Sequence, residues 1–173
     1  MQKTTFDRYV SKNKTTSADA VKIFGLDEFQ RALRKAPKET RAAIARGNKE
    51  IASQVVVRMR RRARVTWNVE QYETIVPTIR AVQGAKPKIR IGGSTKAKVS
   101  PRMPSGRRRK ERPPAGDIVF GAEFGGRNTP ETQQFPYRKK GGYVLFPTIR
   151  QMNGFIRNEY TRNIERTLKR MAD

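Results

Sequence analysis

Asp117 and Glu123 are the acids whose setting could do chemistry. They sit in "DIVFGAEFG", residues 117–125, directly after the most basic part of the chain. If that stretch is an unbroken strand, their six-residue spacing sends both carboxylates to a similar side. Paired acids beside a basic loop could hold Mg²⁺ and cut DNA. The pattern is of low specificity. No third acid lies immediately beside them, no Glu-x-Lys element follows, and Gly121 can break the parity. The glycines of "FGAEFGG", 120–126, spell no phosphate loop: no Gly-Lys-Ser or Gly-Lys-Thr occurs, and a polar loop follows where a P-loop would begin a helix. The chain has no Cys and no His, which removes the usual zinc sites, disulfides, thiol nucleophiles and every His-based triad. The expectation is a protein without catalytic residues, metal or cofactor, and a metal nuclease ranks last among the functional readings.

A structural corner explains the same residues better. On a strand Phe120 and Phe124 share a face while Glu123 points the other way, and Gly121, Gly125 and Gly126 allow tight bends or close backbone approach. Phe135 and Tyr137 would anchor the crossing loop, and "GYVLFP", 142–147, would return as a second strand and feed the last helix at Pro147. The expected corner is Phe120, Glu123, Phe124, Gly125, Phe146 and Pro147, with Phe120, Phe124, Phe146 and Ile149 buried together.

Charge points to an anionic neighbour. The formal charge is +24, from 39 Lys and Arg against 15 Asp and Glu over 173 residues, an excess that repels itself in a small fold. Residues 94–116 concentrate it, with Lys96, Lys98, Arg102, Arg107, Arg108, Arg109, Lys110 and Arg112 against Glu111. This segment has four prolines and no apolar period, so it reads as a long mobile loop or β-arm. Arg102, Arg107, Arg108, Arg109, Lys110 and Arg112 are the candidate contacts to DNA or to an acidic protein. Phosphate contacts of this kind carry no sequence code, and neither a recognition helix nor a base-stacking motif is evident. No apolar run approaches the roughly 20 residues that span a bilayer, so no membrane partner is expected. Residues 1–20 lack the apolar core of an export signal, which suits synthesis and folding in a cytoplasm.

The elements that must position these groups are legible in outline. Residues 1–20 read as a flexible arm and 21–173 as a single domain with the basic loop inserted. "VKIFG", 21–25, suits a short strand. Asp27 can cap a helix carrying Phe29, Leu33 and Ala36, and Pro37 can begin a second helix running to Arg64, roughly 42 Å long. Ile44, Ile51, Val55 and Met59 mark one face of it. Such a rod exceeds the needs of one small core, so this face is the candidate oligomer interface. Its last turns hold Arg58, Arg60, Arg61, Arg62 and Arg64, read mainly as a solvated end. Pro77 makes 72–77 an edge or irregular entry. "TIRAV", 78–82, and "PKIRIGG", 87–93, form a hairpin. In the last helix Ile149, Met152, Ile156, Tyr160, Ile164, Leu168 and Met171 make one amphipathic face. The fold class is α+β: a long N-terminal helix and a C-terminal helix packed on a small, mainly antiparallel sheet, with a long basic loop or β-arm.

"GLDEFQRALRKAPKETRAAIARGNKEIA", followed after a hairpin and variable loop by "FGAEFGG…QFPYR…GYVLFPTIR", resembles the neck and tail-completion proteins of long-tailed bacteriophages, also called head–tail connector or minor tail proteins. In that family a Glu-Phe-Gly element precedes a loop, and an aromatic-Pro element introduces the C-terminal helix. Glu123-Phe124-Gly125 and Phe146-Pro147 match those parts, and the likeness spans residues 21–172 outside the variable loop. It implies a non-enzymatic virion protein made in the host bacterial cytoplasm. Its copies would form a ring at the head–tail junction, six-fold or alternatively twelve-fold. Neighbouring connector, terminator or tail-tube proteins and packaged double-stranded DNA are the implied partners. The insertion at 94–116 departs from a minimal member. The alternative is a basic nucleic-acid-binding protein making non-specific phosphate contacts.

Overall fold

The computed structural model describes Arg31, residues 33–97, 112–126 and 135–172. The expected N-terminal arm, the strand at 21–25, the Asp27 cap and Phe29 lie outside the described residues, as do Arg102, Arg107, Arg108, Arg109 and Lys110 of the basic loop.

The described chain is α+β, dominated by helices around a small two-stranded antiparallel sheet. Helix α1, Lys38–Thr66, is 29 residues long and follows Pro37. It carries a buried stripe at Thr40, Ile44, Asn48, Ile51, Ala52, Val55, Val56, Met59 and Ala63, the spacing of one helix face. Asn68 then caps the short helix α2, Val69–Ile75, by accepting from the Gln71 N–H at 2.8 Å. This corrects the irregular reading of 72–75, since those residues complete a helix. The irregular entry is the 3-10 turn Val76–Thr78, which contains Pro77. Strands β1, Arg80–Val82, and β2, Lys88–Arg90, form the expected hairpin with Arg80 opposite Arg90, Ala81 opposite Ile89 and Val82 opposite Lys88.

Two expected strands are helices. "AGDIVFGAEF" is helix α3, Ala115–Phe124. Its buried Ala115, Ala122 and Glu123, with Ile118 and Val119 half-buried between them, recur at three to four, not at two. Residues 142–147 are a turn followed by helix α4, Leu145–Gln151, and Pro147 is its third residue, not its first. The last helix is divided accordingly, with α5 covering Asn153–Ala172.

The core lies where the second half of α1 meets everything else. Val55, Val56, Met59, Ala63, Trp67, Ile75, Val76, Ile79, Ala122, Val144 and Leu145 form it, and Ala81, Ile89, Ile118 and Ile156 pack against it. The first half of α1 packs on α5 through a polar seam. Gly47 lies so close to Asn163 that a Cβ there would overlap the Asn163 side chain. The Asn163 amide donates to the Ile44 carbonyl at 3.0 Å and to Asn48 Oδ1 at 3.1 Å. Asn48 in turn donates to the Gly84 carbonyl in the hairpin loop at 3.1 Å. Burial pushes the Tyr160 hydroxyl above its ordinary pKa, and it remains a donor aimed at the Ala85 carbonyl.

The proposed oligomer face is thereby corrected. Ile44, Ile51, Val55 and Met59 are 0 %, 4 %, 2 % and 1 % exposed within the single chain. The buried stripe of the rod is used by its own fold, α5 covering one half and the hairpin, α2 and α4 the other, so these four side chains have no surface left for a second copy.

Candidate functional site

Glu123 organises the corner. It lies near the end of α3 with its side chain 1 % exposed. Oε2 accepts from the Val144 and Leu145 N–H groups at 3.0 and 2.9 Å, and Oε1 from the Phe146 N–H at 3.0 Å. The start of a helix leaves four N–H groups without internal partners. In α4 these belong to Val144, Leu145, Phe146 and residue 147, and the first internal bond runs from the Thr148 N–H to the Val144 carbonyl. Glu123 satisfies three, and the fourth is absent because residue 147 is proline. A residue distant in sequence therefore acts as the helix cap, and α4 starts where it does because of Glu123. Gly142 has φ 74°, and a Cβ on it would strike Glu123 Oε1, so the tight turn before α4 needs glycine.

Burial raises the Glu123 pKa above its ordinary 4.5, and the backbone amides oppose that shift without cancelling it. The carboxyl is fully engaged by the main chain. Asp117 is exposed in the first turn of α3. Six residues on a helix put the two acids roughly 120° apart, so the parity expected of a strand does not hold and they form no pair. Among the described residues, no group of three or more His, Cys, Asp or Glu side chains could hold a metal ion.

The aromatic residues of the corner do meet, but at the surface. The Phe120 and Phe124 rings are 5.0 Å apart, and Phe124 and Phe146 are 5.3 Å apart. Four-residue spacing shares a face on a helix as on a strand, which is why the pairing survives the change of element. Phe120, Phe124 and Ile149 are only half-buried and Phe146 is 42 % exposed, which corrects the expectation of a buried quartet. Phe135 lies over Gly121. Gly125 ends α3 with φ 74°, where a Cβ would strike the Tyr137 carbonyl. The segment 135–142 is strapped across that end: Gly126 N–H donates to the Pro136 carbonyl at 2.9 Å, and Lys139 N–H to the Phe124 carbonyl at 2.7 Å. Tyr137 is 76 % exposed. Arg138, Lys139, Lys140 and Arg150 are exposed around the rings, with Lys139 Nζ 5.0 Å from the centre of the Tyr143 ring. The result is an aromatic patch with a cationic rim.

A second surface lies on the hairpin. Ala81 and Ile89 turn toward the core, so Arg80, Val82, Lys88 and Arg90 face outward by alternation. Arg60 donates to the Ile79 carbonyl at 2.8 Å, directly before Arg80. Arg62 donates to the Tyr143 carbonyl at 2.8 Å. Two of the five arginines at the end of α1 are therefore staples, and Arg58, Arg61 and Arg64 are exposed. The chain leaves β2 for the base of the basic loop, where Ala97 N–H donates to the Pro113 carbonyl at 2.9 Å and Ala115 N–H to the Thr95 carbonyl at 2.7 Å. The loop thus has a paired stem, with Lys96 opposite Pro114 and Arg112 exposed beside it.

Trp67 was not among the sequence candidates. Its indole N–H donates to the Ala122 carbonyl at 3.0 Å within the core, joining the end of α1 to α3. Its signal was being the chain's one tryptophan, placed at the end of the longest apolar period. No family model, curated protein or solved structure matches this chain.

Proposed function

We propose that this protein is a structural component of a bacteriophage head–tail junction, whose copies form a ring around the DNA channel between the capsid connector and the tail. The observation that carries this reading is the union of the two elements on which the family resemblance rests. Glu123 binds the backbone of the segment that leads to Phe146-Pro147, and Phe124 stacks near Phe146. The corner so made displays aromatic surface that the described chain leaves uncovered. Aromatic residues with a polar rim are the composition of protein–protein contacts, and a corner that meets a different surface on the next copy gives a ring when the rotation between copies closes. The ring contact proposed here is therefore the aromatic corner, since the α1 face is buried.

A second reading, a basic protein that binds nucleic acid without a ring, is favoured by the cations of the hairpin and the loop stem. Mass photometry of the purified chain and cryo-EM of the intact particle test the first reading. A closed ring of six copies at the junction, or of twelve, is the expected result. Monomers alone, free and in the particle, would refute it and leave the second.

A further inference from the structure

We infer that the outward face of the β1–β2 hairpin is a binding surface for the phosphates of double-stranded DNA, made by Arg80, Lys88 and Arg90. The register places Arg80 directly opposite Arg90. Side chains so placed have Cβ atoms about 4.5–5.5 Å apart, and like charges there destabilise a sheet. Lys88 lies on the same face, roughly 6.6 Å along the strand from Arg90. Arg60 is held at the Ile79 carbonyl, which adds a third guanidinium next to Arg80. None of Arg80, Lys88 and Arg90 forms an ion pair with a carboxylate among the described residues. Among the described residues, the fold thus assembles mutually repelling charges on its smallest element and pairs none of them with a carboxylate.

The chemistry of the face selects the partner. A protein interface needs an apolar centre, and the hairpin face offers only Val82, itself half-buried. The aromatic corner shows what an apolar surface looks like in this molecule, and the hairpin has none. Guanidinium groups bind phosphate oxygens bidentately, and a face of cations without other groups follows a phosphate backbone regardless of sequence. Single strands are held by stacking their bases on aromatic side chains. Among the described residues no aromatic side chain stands on this face, so the duplex is the favoured form.

The hairpin's binding needs no ring, so the experiment uses the free full-length chain and a short labelled duplex of mixed sequence. Anisotropy is measured across a salt series for the wild type and for the triple variant Arg80→Gln, Lys88→Gln, Arg90→Gln. The log–log slope of affinity against salt should become shallower by roughly 0.9 for each contact removed, near 3 in total. The thermal midpoint should hold or rise, because the variant relieves the Arg80–Arg90 repulsion. Arg80→Lys with Arg90→Lys keeps the charge and should keep the slope, which separates lost phosphate contacts from a disturbed hairpin. An unchanged slope in the triple variant overturns the inference. So does competition by poly-glutamate as strong as by duplex, which would mark a surface for acidic protein. Either failure leaves the ring reading standing, since no virion component is involved.

Discussion

At the residue scale, Glu123 does the work that a local cap usually does. Replacing it by Ala strands the N–H groups of Val144, Leu145 and Phe146, two of them on buried residues. Each buried unsatisfied group costs about 1–3 kcal/mol, so Glu123→Ala should cost about 3 kcal/mol or more, a large part of a domain's stability. Urea unfolding would measure it. A loss below about 1 kcal/mol would mean that water replaces the carboxylate. The pH dependence has a definite sign. Burial raises the folded pKa above 4.5, so the folded state binds the proton more tightly than the unfolded one. The associated stability is fully present below about 4.5 and is lost as pH rises through the folded value. Glu123→Gln cannot titrate. Wild type should therefore lose stability relative to Glu123→Gln as the pH is raised through that window, and the opposite trend would mean that the amides outweigh burial. Sequence patterning marks Glu123 as structural but turns it away from the corner, because strand parity does not hold on a helix. Its partners are main-chain N–H groups about twenty residues away, and no side-chain pattern encodes those.

At the scale of elements, the sequence announced α1, the hairpin and the last amphipathic helix, all through periodicity. It misled at α3. Ile118, Val119 and Phe120 are β-branched or aromatic, and Gly121 looks like a break. The boundary signals were nevertheless those of a helix: Pro114 before the start, Asp117 in the first turn and Gly125 just past the end. Tertiary packing of Ala115, Ala122 and Glu123 then outweighed β propensity. The α1–α5 seam was also illegible, since Gly47, Asn48 and Asn163 look like weak helix residues when each is considered alone. Together they explain one another, and they set two effects in competition. Gly47→Ala gains about 1 kcal/mol of helix propensity. It also places a Cβ within the Asn163 side chain, whose amide must then leave the Ile44 carbonyl and Asn48 Oδ1. Leaving buried groups unpaired costs about 1–3 kcal/mol each, so the loss wins. Gly47→Ala should lower stability, and adding Asn163→Ala should recover part of it. Thermal unfolding of the two single variants and the double variant checks this coupling, and a stabilised Gly47→Ala would show that the helices can part at no cost.

At the scale of the molecule, the two surfaces should answer salt in opposite directions. Copies of a +24 chain repel one another, and the repulsion reaches about 10 Å at 0.1 M salt and less as salt rises. A ring contact centred on Phe120, Phe124, Phe146 and Tyr137 rests mainly on apolar contact and gains as the repulsion is screened. Phosphate binding by the hairpin loses affinity over the same range, because each contact releases counterions when it forms. Ring formation without DNA should therefore increase with salt, while duplex binding falls. DNA itself should favour the ring at low salt by neutralising the repulsion. Phe146→Ser with Tyr137→Ser removes exposed apolar area, so it should leave the thermal midpoint within a few degrees of wild type and abolish the salt-promoted ring. It should leave the salt slope of duplex binding unchanged. Mass photometry across a salt series, with and without duplex, reads both effects on one sample. Assembly that weakens with salt in the absence of DNA would mean that ionic contacts join the copies, and the aromatic corner would then need a different partner.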